Sequence, residues 1–387
     1  MKQDVRIGLI GTGFMGKSHA MAYHTVPFIF PAAARPVLEL VADVSEEAAR
    51  AAAEATGIRR ATGDWRELVQ DPAVDVVDIT TPNVLHKEMA LAAIAAGKHV
   101  YCEKPLALTA TDALEMTEAA EAAGVKTLVG FNFLKNPAAG MVKGIIDEGG
   151  IGDIVHFRGT FDEDALADPR APFSWRFERA VAGAGALGDL GAHVINLAQY
   201  LIGDIDEVSG QINTRITERP VADGAVGYGD KVSEDAPMRA VENEDEAQFL
   251  MRFTSGATGT IETSRIATGR KLWLTYEVTG TAGAVFFTQE RMNEVKLYRA
   301  ADPAGQQGFK TVYIGPEHPH YANYFPIAGM GLGYNDQKVI EAHELIEAIA
   351  EDGPLYPDFR AGWKTCQVID AVLRSAEERR WVRVEEM

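Results

Sequence analysis

The first third of the chain alternates short apolar runs with helical segments. Each apolar run is short enough for a buried strand, and glycine or polar residues follow it. One helical segment shows both of its ends, because Ser45 precedes residues 46–56 and Gly57 follows them. Serine is a preferred N-cap and glycine a preferred helix stop. Strands separated by helices of this length predict parallel pairing in a doubly wound sheet. The expected strands are 5–10, 38–42, 74–79, 99–102 and 127–131.

After residue 131 the pattern changes to short runs in which apolar and polar positions alternate. Such alternation is typical of an antiparallel sheet with one solvated face. Residues 218–239, rich in Gly, Asp and Pro, predict a long surface loop, and the acidic run 242–246 predicts a solvated loop that leads into a strand. The expected helices are 138–148, 188–201, 336–350 and 361–376, and the expected strands are 154–161, 248–253, 258–264, 272–279, 285–288 and 295–299.

The two patterns predict two domains in an α/β protein. A length of 387 residues is ample for two cores. Residues 1–130 predict a domain built on the doubly wound parallel sheet, and residues 131–387 predict an α+β domain with a large, mostly antiparallel open sheet. Ligands of doubly wound sheets bind outside the carboxyl ends of the strands, so the chemistry of the first domain is expected there.

Composition narrows the choice of partners. Lys and Arg total 37 against 56 Asp and Glu, and the net charge of −19 repels phosphate backbones and anionic lipids. Neither nucleic acid nor a membrane is therefore expected as a partner. Cys102 and Cys366 are too few for a disulfide framework, and His318 with His320 lacks a third metal ligand at a recognisable spacing, so no metal site is predicted. No apolar stretch is long enough to span a bilayer, and no signal peptide is evident, so a cytoplasmic location is expected.

A glycine-rich turn, Gly11-Thr12-Gly13-Phe14-Met15-Gly16, follows the first strand and opens the first helix. Gly11 allows a tight turn, Gly13 lets the backbone approach a pyrophosphate, and Gly16 lets helix and strand pack closely. The free amides at the helix start favour an anion. The strand–turn–helix context therefore predicts a Rossmann domain that binds a dinucleotide.

Asp43 ends the second expected strand. A carboxylate at this position can accept hydrogen bonds from the ribose hydroxyls and repel a 2′-phosphate, which favours NAD over NADP. It lies 27 residues beyond Gly16, farther than is usual, and we expect residues 27–36 to insert a loop. The arginines that could still accommodate a phosphate are Arg50, Arg59 and Arg60.

The fourth expected strand ends in Glu103-Lys104-Pro105. Because this end of the sheet faces the ligand, Lys104 is expected near the nicotinamide, where it could donate to the substrate oxygen or relay its proton. Proline after lysine forbids an immediate helix. An ordinary Lys-Pro turn without a chemical role is the alternative.

A second constellation is Gly188-Asp189-Leu190-Gly191-Ala192-His193. Asp189 and His193 are four residues apart and share one face of the expected helix. His193 suits the general base that removes a hydroxyl proton as hydride leaves the same carbon, and Asp189 can hold a substrate hydroxyl or orient the imidazole. The glycines around them are expected to leave space for a substrate. A helix-terminal Asp with a satisfied core His is the alternative.

Together these motifs resemble the glucose–fructose oxidoreductase / inositol dehydrogenase family. The resemblance implies a Rossmann domain, a second domain whose open sheet mediates dimer or tetramer assembly, and catalysis by Lys104, Asp189 and His193. It also implies that the loop after the third strand lines the cofactor. The cofactor-binding residues expected from motifs and resemblance are Gly11, Gly13, Phe14, Met15, Asp43, Thr81, Pro82, Asn83, His86, Glu103 and Lys104, and the substrate-binding residues are Lys104, Asn132, Arg176, Asp189 and His193.

Three further stretches look most like bacterial scyllo-inositol dehydrogenases that also oxidise L-glucose. They are residues 174–176, 241–245 and 289–294. The expected function is NAD-dependent oxidation of a secondary ring hydroxyl of a cyclitol or sugar (scyllo- or myo-inositol, or L-glucose) to the ketone or lactone, with His193 as base and Lys104 assisting. One alternative is a levoglucosan or other sugar dehydrogenase of the same family. Another is a non-catalytic sensor that binds NAD(P).

Overall fold

The computed structural model of the protein describes residues 3–31, 33–222, 224, 232–233 and 235–387. Contacts between residues divide the chain into two compact units. The units interleave along the chain instead of meeting at one boundary, and the expected division after residue 130 remains a prediction about where cofactor and substrate bind. Unit 1 comprises Met1–Ala107, Thr111–Asn136 and His320–Trp363, and unit 2 comprises Leu108–Ala110, Pro137–Pro319 and Lys364–Met387.

Strands and helices occur throughout the described chain. The strands are β1 (Gln3–Ile10), β2 (Ala34–Ala42), β3 (Arg60–Thr62), β4 (Val76–Ile79), β5 (His99–Cys102), β6 (Thr127–Val129), β7 (Ile154–Asp162), β8 (Ile205–Asn213), β9 (Glu218–Pro220), β10 (Met238–Ala240), β11 (Glu246–Phe253), β12 (Thr258–Ser264), β13 (Trp273–Gly280), β14 (Gly283–Thr288), β15 (Glu294–Arg299), β16 (Lys310–Tyr313) and β17 (Val382–Arg383). The α-helices are α1 (Phe14–Ile29), α2 (Glu46–Thr56), α3 (Trp65–Gln70), α4 (His86–Ala95), α5 (Ala110–Ala123), α6 (Pro137–Asp147), α7 (Arg179–Ala182), α8 (Ala192–Ile202), α9 (Tyr321–Tyr324), α10 (Tyr334–Glu351) and α11 (Phe359–Glu378).

Unit 1 contains the doubly wound sheet. Its strand order is β3-β2-β1-β4-β5-β6, and every neighbouring pair is parallel. The four residues of β4 are all buried, as expected of a strand that is covered on both faces. The strand order reverses between β1 and β4, and such a point opens a crevice at the carboxyl ends of the strands. The predicted Rossmann sheet is thereby confirmed.

Helix α10 belongs to unit 1, although the sequence places it in the second half of the chain. Val339 and Ile346 of this helix lie in the same buried cluster as Leu9 of β1 and Val26 of α1. Burial of these side chains removes apolar surface from water and stabilises the contact. An apolar helix face predicts packing on a core, but it does not predict which core.

Unit 2 contains the open sheet, whose order is β16-β15-β14-β13-β7-β12-β11-β8-β17. In the described part of the chain β7 and β12 pair in parallel, and the other neighbours in this sheet are antiparallel. Strand β11 alternates buried and partly exposed positions, which gives the sheet one covered face. Helix α8 approaches that face closely, because a Cβ on Gly159 of β7 would lie 2.3 Å from Val194 Cγ1. The predicted mostly antiparallel sheet is confirmed.

The structure corrects the loop that was expected over residues 27–36. Helix α1 continues through Pro27 to Ile29, and β2 already begins at Ala34. Val26 and Phe30 are both buried in unit 1, and the N–H of Phe30 donates to the carbonyl of Val26 at 2.9 Å. Packing of these side chains therefore carries the helix past the proline.

Two other expected loops are also corrected. At the ends of residues 218–239, β9 and β10 pair antiparallel, and Arg219 is fully buried; residues 223, 225–231 and 234 lie outside the described residues. The acidic run 242–246 is not solvated either, because its middle three residues are at most 1% exposed. Local charge is a poor guide where distant partners satisfy buried polar groups. The described helices include none that is long and apolar enough to cross a membrane.

Candidate active site

The glycine turn joins β1 to α1. Gly11 has a φ of 95°, which favours glycine, and its N–H donates to the carbonyl of Ala42 at 2.9 Å. A Cβ on Gly16 would lie 2.2 Å from the carbonyl oxygen of Gly11, whereas a Cβ on Gly13 would meet no described atom within 4 Å. Gly13 is the N-cap of α1, and no described side chain caps this helix start. Its amides therefore face open space in which an anion can bind.

Asp43 follows β2 directly and is half-buried. Its carboxylate accepts hydrogen bonds from the hydroxyl of Thr12, inside the glycine turn, and from the N–H of Val44 at 2.7 Å. The carboxylate is thus fixed beside the turn, where a ribose would lie. Nearby arginines are paired with carboxylates: Arg50 with Glu46, Arg59 with Glu39, and Arg60 with Glu39 and Asp71.

The loop that follows β4 is hydrogen-bonded to the glycine turn and to the carbonyl of Pro105. The hydroxyl of Thr80 donates to the carbonyl of Gly11 at 2.9 Å. His86 is fully buried, and its ring nitrogens lie 3.0 Å from the carbonyl oxygens of Pro105 and Thr81. Burial lowers the pKa of His86. His86 therefore positions this loop, and its expected contact with the cofactor remains a prediction. The partly exposed residues of this loop include Thr81, Pro82 and Asn83.

Lys104 follows β5 at the same edge of the sheet as the glycine turn. It is half-buried, and the peptide bond to Pro105 is cis. Its N–H donates to Glu103 Oε2 at 3.1 Å. Glu103 was expected to contact the cofactor, but it is buried and its carboxylate points to partners inside unit 1. The buried carboxylate of Glu103 therefore fixes the backbone of Lys104.

The partners of Glu103 form a buried polar network that the sequence did not suggest. His19 of α1 bridges two carboxylates, with Nδ1 2.9 Å from Asp78 and Nε2 2.9 Å from Glu103. Lys338 of α10 donates to Glu103 at 2.6 Å and lies 2.9 Å from Glu341. These charges are buried, so each one depends on its neighbours for compensation. Two tyrosines complete the network: Tyr23 donates to Asp78 and Tyr101 donates to Glu341.

The network keeps His19 and Glu103 charged. Burial on its own would lower the pKa of His19, but the carboxylates of Asp78 and Glu103 outweigh burial and raise it to about 9. Burial would likewise raise the pKa of Glu103, yet Lys338 and His19 hold it well below its usual range. Burial raises the pKa of Glu341. His19 is therefore protonated at neutral pH and acts as a cation between two carboxylates.

Asn132, which was expected to contact substrate, lies in a 3₁₀ turn, Asn132–Lys135, after β6. It is 2% exposed, and its Nδ2 donates to Gln337 Oε1 of α10 at 3.1 Å. In this position it attaches the turn to α10. Direct contact between Asn132 and a substrate remains a prediction.

The remaining predicted catalytic residues lie in unit 2. Asp189 belongs to a π-helical turn, Leu187–Gly191, which runs into α8, and His193 is in the first turn of α8 and is 5% exposed. The sequence predicted an ordinary helix here; π turns are frequent at functional sites. Asp189 Oδ2 lies 3.7 Å from Arg176 Nε, and the Arg176 guanidinium stacks on the ring of Trp175 at 4.6 Å. The structure thus brings Arg176 and Asp189 together.

Three of the glycines near Asp189 have roles in the packing or the turns of the chain itself. A Cβ on Gly185 would lie 2.0 Å from the carbonyl oxygen of Glu244, and a Cβ on Gly191 would lie 3.1 Å from Leu187. Gly183 has a φ of 75° and ends α7. Gly185 and Gly191 therefore let parts of the chain approach each other, and the expected role of the glycines in admitting substrate remains a prediction.

The residues at the edge of the unit 1 sheet fit a nicotinamide dinucleotide. The open space over Gly13 and the uncapped start of α1 suit a pyrophosphate, and Asp43 suits a ribose. Phe14 is 69% exposed beside this turn. The bound cofactor would supply the hydride acceptor. Among the residues that the structure describes, no group of His, Cys, Asp and Glu side chains is arranged to hold a metal ion.

Comparison with known proteins gives two family matches. Residues 5–131 match the model of an oxidoreductase family with an NAD-binding Rossmann fold, and residues 141–286 match the GFO/IDH/MocA C-terminal domain. The chain is 43% identical over 384 residues to levoglucosan dehydrogenase of Pseudarthrobacter phenanthrenivorans, which covers 99% of this chain and 98% of that protein. It is 31% identical over 302 residues to scyllo-inositol 2-dehydrogenase (NAD⁺) of Bacillus subtilis, which covers 78% of each.

A solved structure is similar over almost the whole chain. Levoglucosan dehydrogenase in complex with NADH and levoglucosan has a TM-score of 0.93 and 42% identity, and the match covers 99% of this chain and all of that one. The similarity confirms the predicted α/β fold and the predicted family.

Substitutions of Gly13 and Gly16 should separate an effect on cofactor binding from an effect on folding. We expect Gly13→Ala to leave the free energy of unfolding within about 0.5 kcal/mol of wild type, because the methyl group enters open space. It should weaken NADH binding about tenfold or more by blocking the approach of the pyrophosphate, a cost of about 1.4 kcal/mol. Gly16→Ala should instead destabilise folding by about 1–3 kcal/mol through its clash with Gly11. Chemical denaturation and NADH fluorescence titration measure the two effects. A Gly13→Ala variant that binds NADH like wild type would contradict the assignment of this turn.

The buried network predicts how stability depends on pH. The pKa of His19 is about 9 in the folded protein, above its usual value of about 6.5. A raised pKa contributes stability that is complete below the unfolded value and is lost as pH rises through the folded value. The difference in unfolding free energy between wild type and His19→Gln should therefore shrink from about pH 6.5 to pH 9. Urea denaturation across this range measures it, with exposed His24→Gln as the control. A constant difference would show that His19 is not charged in the folded state.

Proposed function

Because the chain belongs to the GFO/IDH/MocA oxidoreductase family, we propose that it oxidises a secondary ring hydroxyl of a sugar or anhydrosugar with NAD, and that levoglucosan is its first candidate substrate. The observation that carries the substrate is the 43% identity to a levoglucosan dehydrogenase over 99% of the chain. The scyllo-inositol relative matches a shorter part of the chain at lower identity, so inositol is the second candidate. This order reverses the one expected from short stretches of sequence.

In the proposed reaction the hydroxyl carbon loses hydride and the hydroxyl oxygen loses a proton. NAD, when bound, accepts the hydride and becomes NADH. His193 takes the proton on a ring nitrogen and so acts as the general base. Lys104 donates a hydrogen bond from Nζ to the same oxygen, which stabilises the negative charge that develops on it. The products are the ketone, NADH and a protonated His193, which returns its proton to water.

Arg176 and Asp189 would hold the hydroxyls that do not react. Their side chains are about one-third exposed, so both can be reached from solvent. The carboxylate of Asp189 accepts a hydrogen bond from a hydroxyl, and the guanidinium of Arg176 donates one to a hydroxyl oxygen. A pair of acceptor and donor suits a ring that carries neighbouring hydroxyls. The presence of Lys104, Asp189 and His193 together favours an enzyme over a sensor that binds NAD(P) without turnover.

We also propose that the protein forms a homo-oligomer, a dimer or tetramer, through the sheet of unit 2. One face of this sheet has a concave region formed by residues of β7, β8, β11 and β12. Within it, Leu250 is 52% exposed. A single exposed leucine is common on protein surfaces, so the proposal rests on the family resemblance and on the concave form of this face. The polar residues that line the region include Arg158, Thr160, Gln211, Gln248 and Glu262.

The reaction is tested with a panel of ring polyols. We expect NADH to form from levoglucosan, with weaker or no turnover of scyllo-inositol, myo-inositol and L-glucose. His193→Ala and Lys104→Ala should each lower kcat by about 10²-fold or more, because each removes a proton-transfer or hydrogen-bonding group from the reacting oxygen. NADH binding should stay near wild type in His193→Ala. NADH absorbance measures the rates, and His24→Ala and Lys310→Ala are matched controls. Wild type that turns over no member of the panel contradicts the proposed activity, and near-normal turnover in either variant contradicts that residue's role.

The choice of cofactor is tested at Asp43. We expect wild type to have a higher kcat/KM with NAD than with NADP, and Asp43→Ala to raise KM for NAD about tenfold, since hydrogen bonds to a charged group contribute about 1.5–3 kcal/mol. KM for NADP should fall or stay constant, because the carboxylate no longer repels the 2′-phosphate. Glu54→Ala, an exposed change on α2, is the control. A wild type that prefers NADP would overturn this assignment.

A further inference from the structure

A buried polar segment of unit 2 is hydrogen-bonded to the two elements that carry Arg176 and Asp189. We call Asn243–Asp245 the bridging segment; it directly precedes β11, and its three residues are 0–1% exposed. Burying one amide and two carboxylates is costly unless each finds partners. Asn243 and Glu244 each have a partner on one of the two elements that carry Arg176 and Asp189, and Asp245 has its partners elsewhere in the unit.

Asn243 holds the backbone at Arg176. Its Nδ2 donates to the carbonyl oxygen of Arg176 at 2.8 Å, and its Oδ1 accepts from Arg265 Nη2 at 3.0 Å. The neighbouring N–H of Glu242 donates to the carbonyl of Phe177 at 2.9 Å. Two consecutive carbonyl groups of the short turn that carries Arg176 therefore accept hydrogen bonds from Asn243 and from the preceding Glu242.

Arg265, the partner of Asn243 Oδ1, is itself fixed by further contacts. Arg265 Nε donates to Asp245 Oδ1 at 2.9 Å, and Asp245 Oδ2 accepts the N–H groups of Arg215 and Ile216 at 2.9 and 2.8 Å. The guanidinium of Arg265 also lies 4.8 Å from the ring centroid of Phe177. The charge-assisted pair of Arg265 and Asp245 thus fixes the guanidinium that Asn243 contacts, and such a pair is stronger than a neutral hydrogen bond.

Glu244 holds the turn that carries Asp189. Its carbonyl accepts the N–H of Ala186 at 2.9 Å, and its Oε1 accepts the N–H of Leu187, the first residue of the π-helical turn, at 3.0 Å. The approach is close, because a Cβ on Gly185 would lie 2.0 Å from the Glu244 carbonyl oxygen. Two consecutive residues of one buried segment therefore fix the two elements whose side chains meet.

The consequence is a fixed spacing. Arg176 Nε and Asp189 Oδ2 are 3.7 Å apart, within ion-pair range but too far for a direct hydrogen bond. We propose that Asn243 is a specificity-determining positioning residue: it holds Arg176 at the distance from Asp189 at which the pair binds two hydroxyls of a ring polyol. The proposal rests on the function proposed above. Asn243 then influences which polyol binds without touching the polyol itself.

Asparagine is needed here because one side chain must donate and accept at once. Its amide nitrogen donates to the carbonyl of Arg176, and its oxygen accepts from Arg265. Aspartate has nearly the same shape but no donor when ionised. Asn243→Asp therefore keeps the contact with Arg265 and replaces the contact with Arg176 by repulsion between two oxygens. The carbonyl of Arg176 must then move away or find water.

The test is a double-mutant cycle between Asn243→Asp and Arg176→Gln. In the wild-type background Asn243→Asp should raise KM for the preferred polyol about tenfold, leave kcat within about threefold and leave KM for NAD unchanged. The ratio of kcat/KM for levoglucosan to that for scyllo-inositol should move toward one. In the Arg176→Gln background the same change should alter KM by less than about twofold, because its effect passes through Arg176. Gln306→Glu, an amide-to-carboxylate change at an exposed site of the same unit, is the matched control. An equal effect in both backgrounds overturns the proposal.

A second readout does not depend on turnover. Trp175 contacts the Arg176 guanidinium, so a 5-fluorotryptophan label should report movement of that turn in its ¹⁹F NMR spectrum. The Trp175 resonance, assigned by its loss in Trp175→Phe, should shift in Asn243→Asp and stay in place in Gln306→Glu. An unmoved resonance overturns the proposal even if the enzyme is active. If wild type oxidises no polyol, the proposed function fails while the spectrum still decides whether Asn243 positions Arg176. Should Asn243→Asp not fold, Asn243→Ser removes the amide donor without adding charge and takes its place in both measurements.

Discussion

Glu103 and Lys338 form a 2.6 Å ion pair in the interior of unit 1, although 235 residues separate them in sequence. Removing one partner of such a pair costs about 3–5 kcal/mol, because the other charge is left buried without compensation. The pair therefore fixes α10 against the carboxyl end of β5. Since Glu103 also accepts the N–H of Lys104, the backbone of the predicted catalytic lysine is fixed by the same contact. The packing of α10, which comes late in the sequence, into unit 1 is thus coupled to the backbone geometry at the carboxyl end of β5.

Unit 2 repeats this principle with different groups. Asn243 Nδ2 and Glu244 Oε1 of the bridging segment find their partners only when the Arg176 turn and the start of the π-helical turn are both in place. Apolar packing tolerates small shifts, since it has little directional preference. A buried hydrogen-bond network is satisfied in few arrangements, and each unmade bond costs about 1–3 kcal/mol. In both units, buried polar groups rather than apolar contacts fix the backbone at the residues that are predicted to carry the chemistry.

Local signals were sufficient for much of the fold. Helix α2 was predicted at its observed bounds because Ser45 and Gly57 mark both ends, and β12 was predicted correctly from its alternating pattern. The glycine turn and the Glu103-Lys104-Pro105 motif were also found where they were expected. Contacts between distant residues could not be predicted in this way: His19 meets partners 59 and 84 residues away, and Asn243 meets Arg176 across 67. Their charges resemble those of a solvated surface when only neighbours in sequence are considered. β3 and α3 were missed because each is very short.

The difference between the two substrate expectations has a physical basis in these networks. Residues 174–176 and 241–245, which suggested an inositol dehydrogenase, include the residues that set the spacing of Arg176 and Asp189. A carboxylate beside a guanidinium can hold hydroxyls of a cyclitol or of an anhydrosugar, since both rings carry them as donors and acceptors. Short segments that build such a pair therefore indicate polyol binding without identifying the ring. Discrimination between rings requires the spacing of Arg176 and Asp189 itself. This spacing depends on Arg265, on Asp245 and on the fold around them. Only a comparison over the whole chain includes all of these positions.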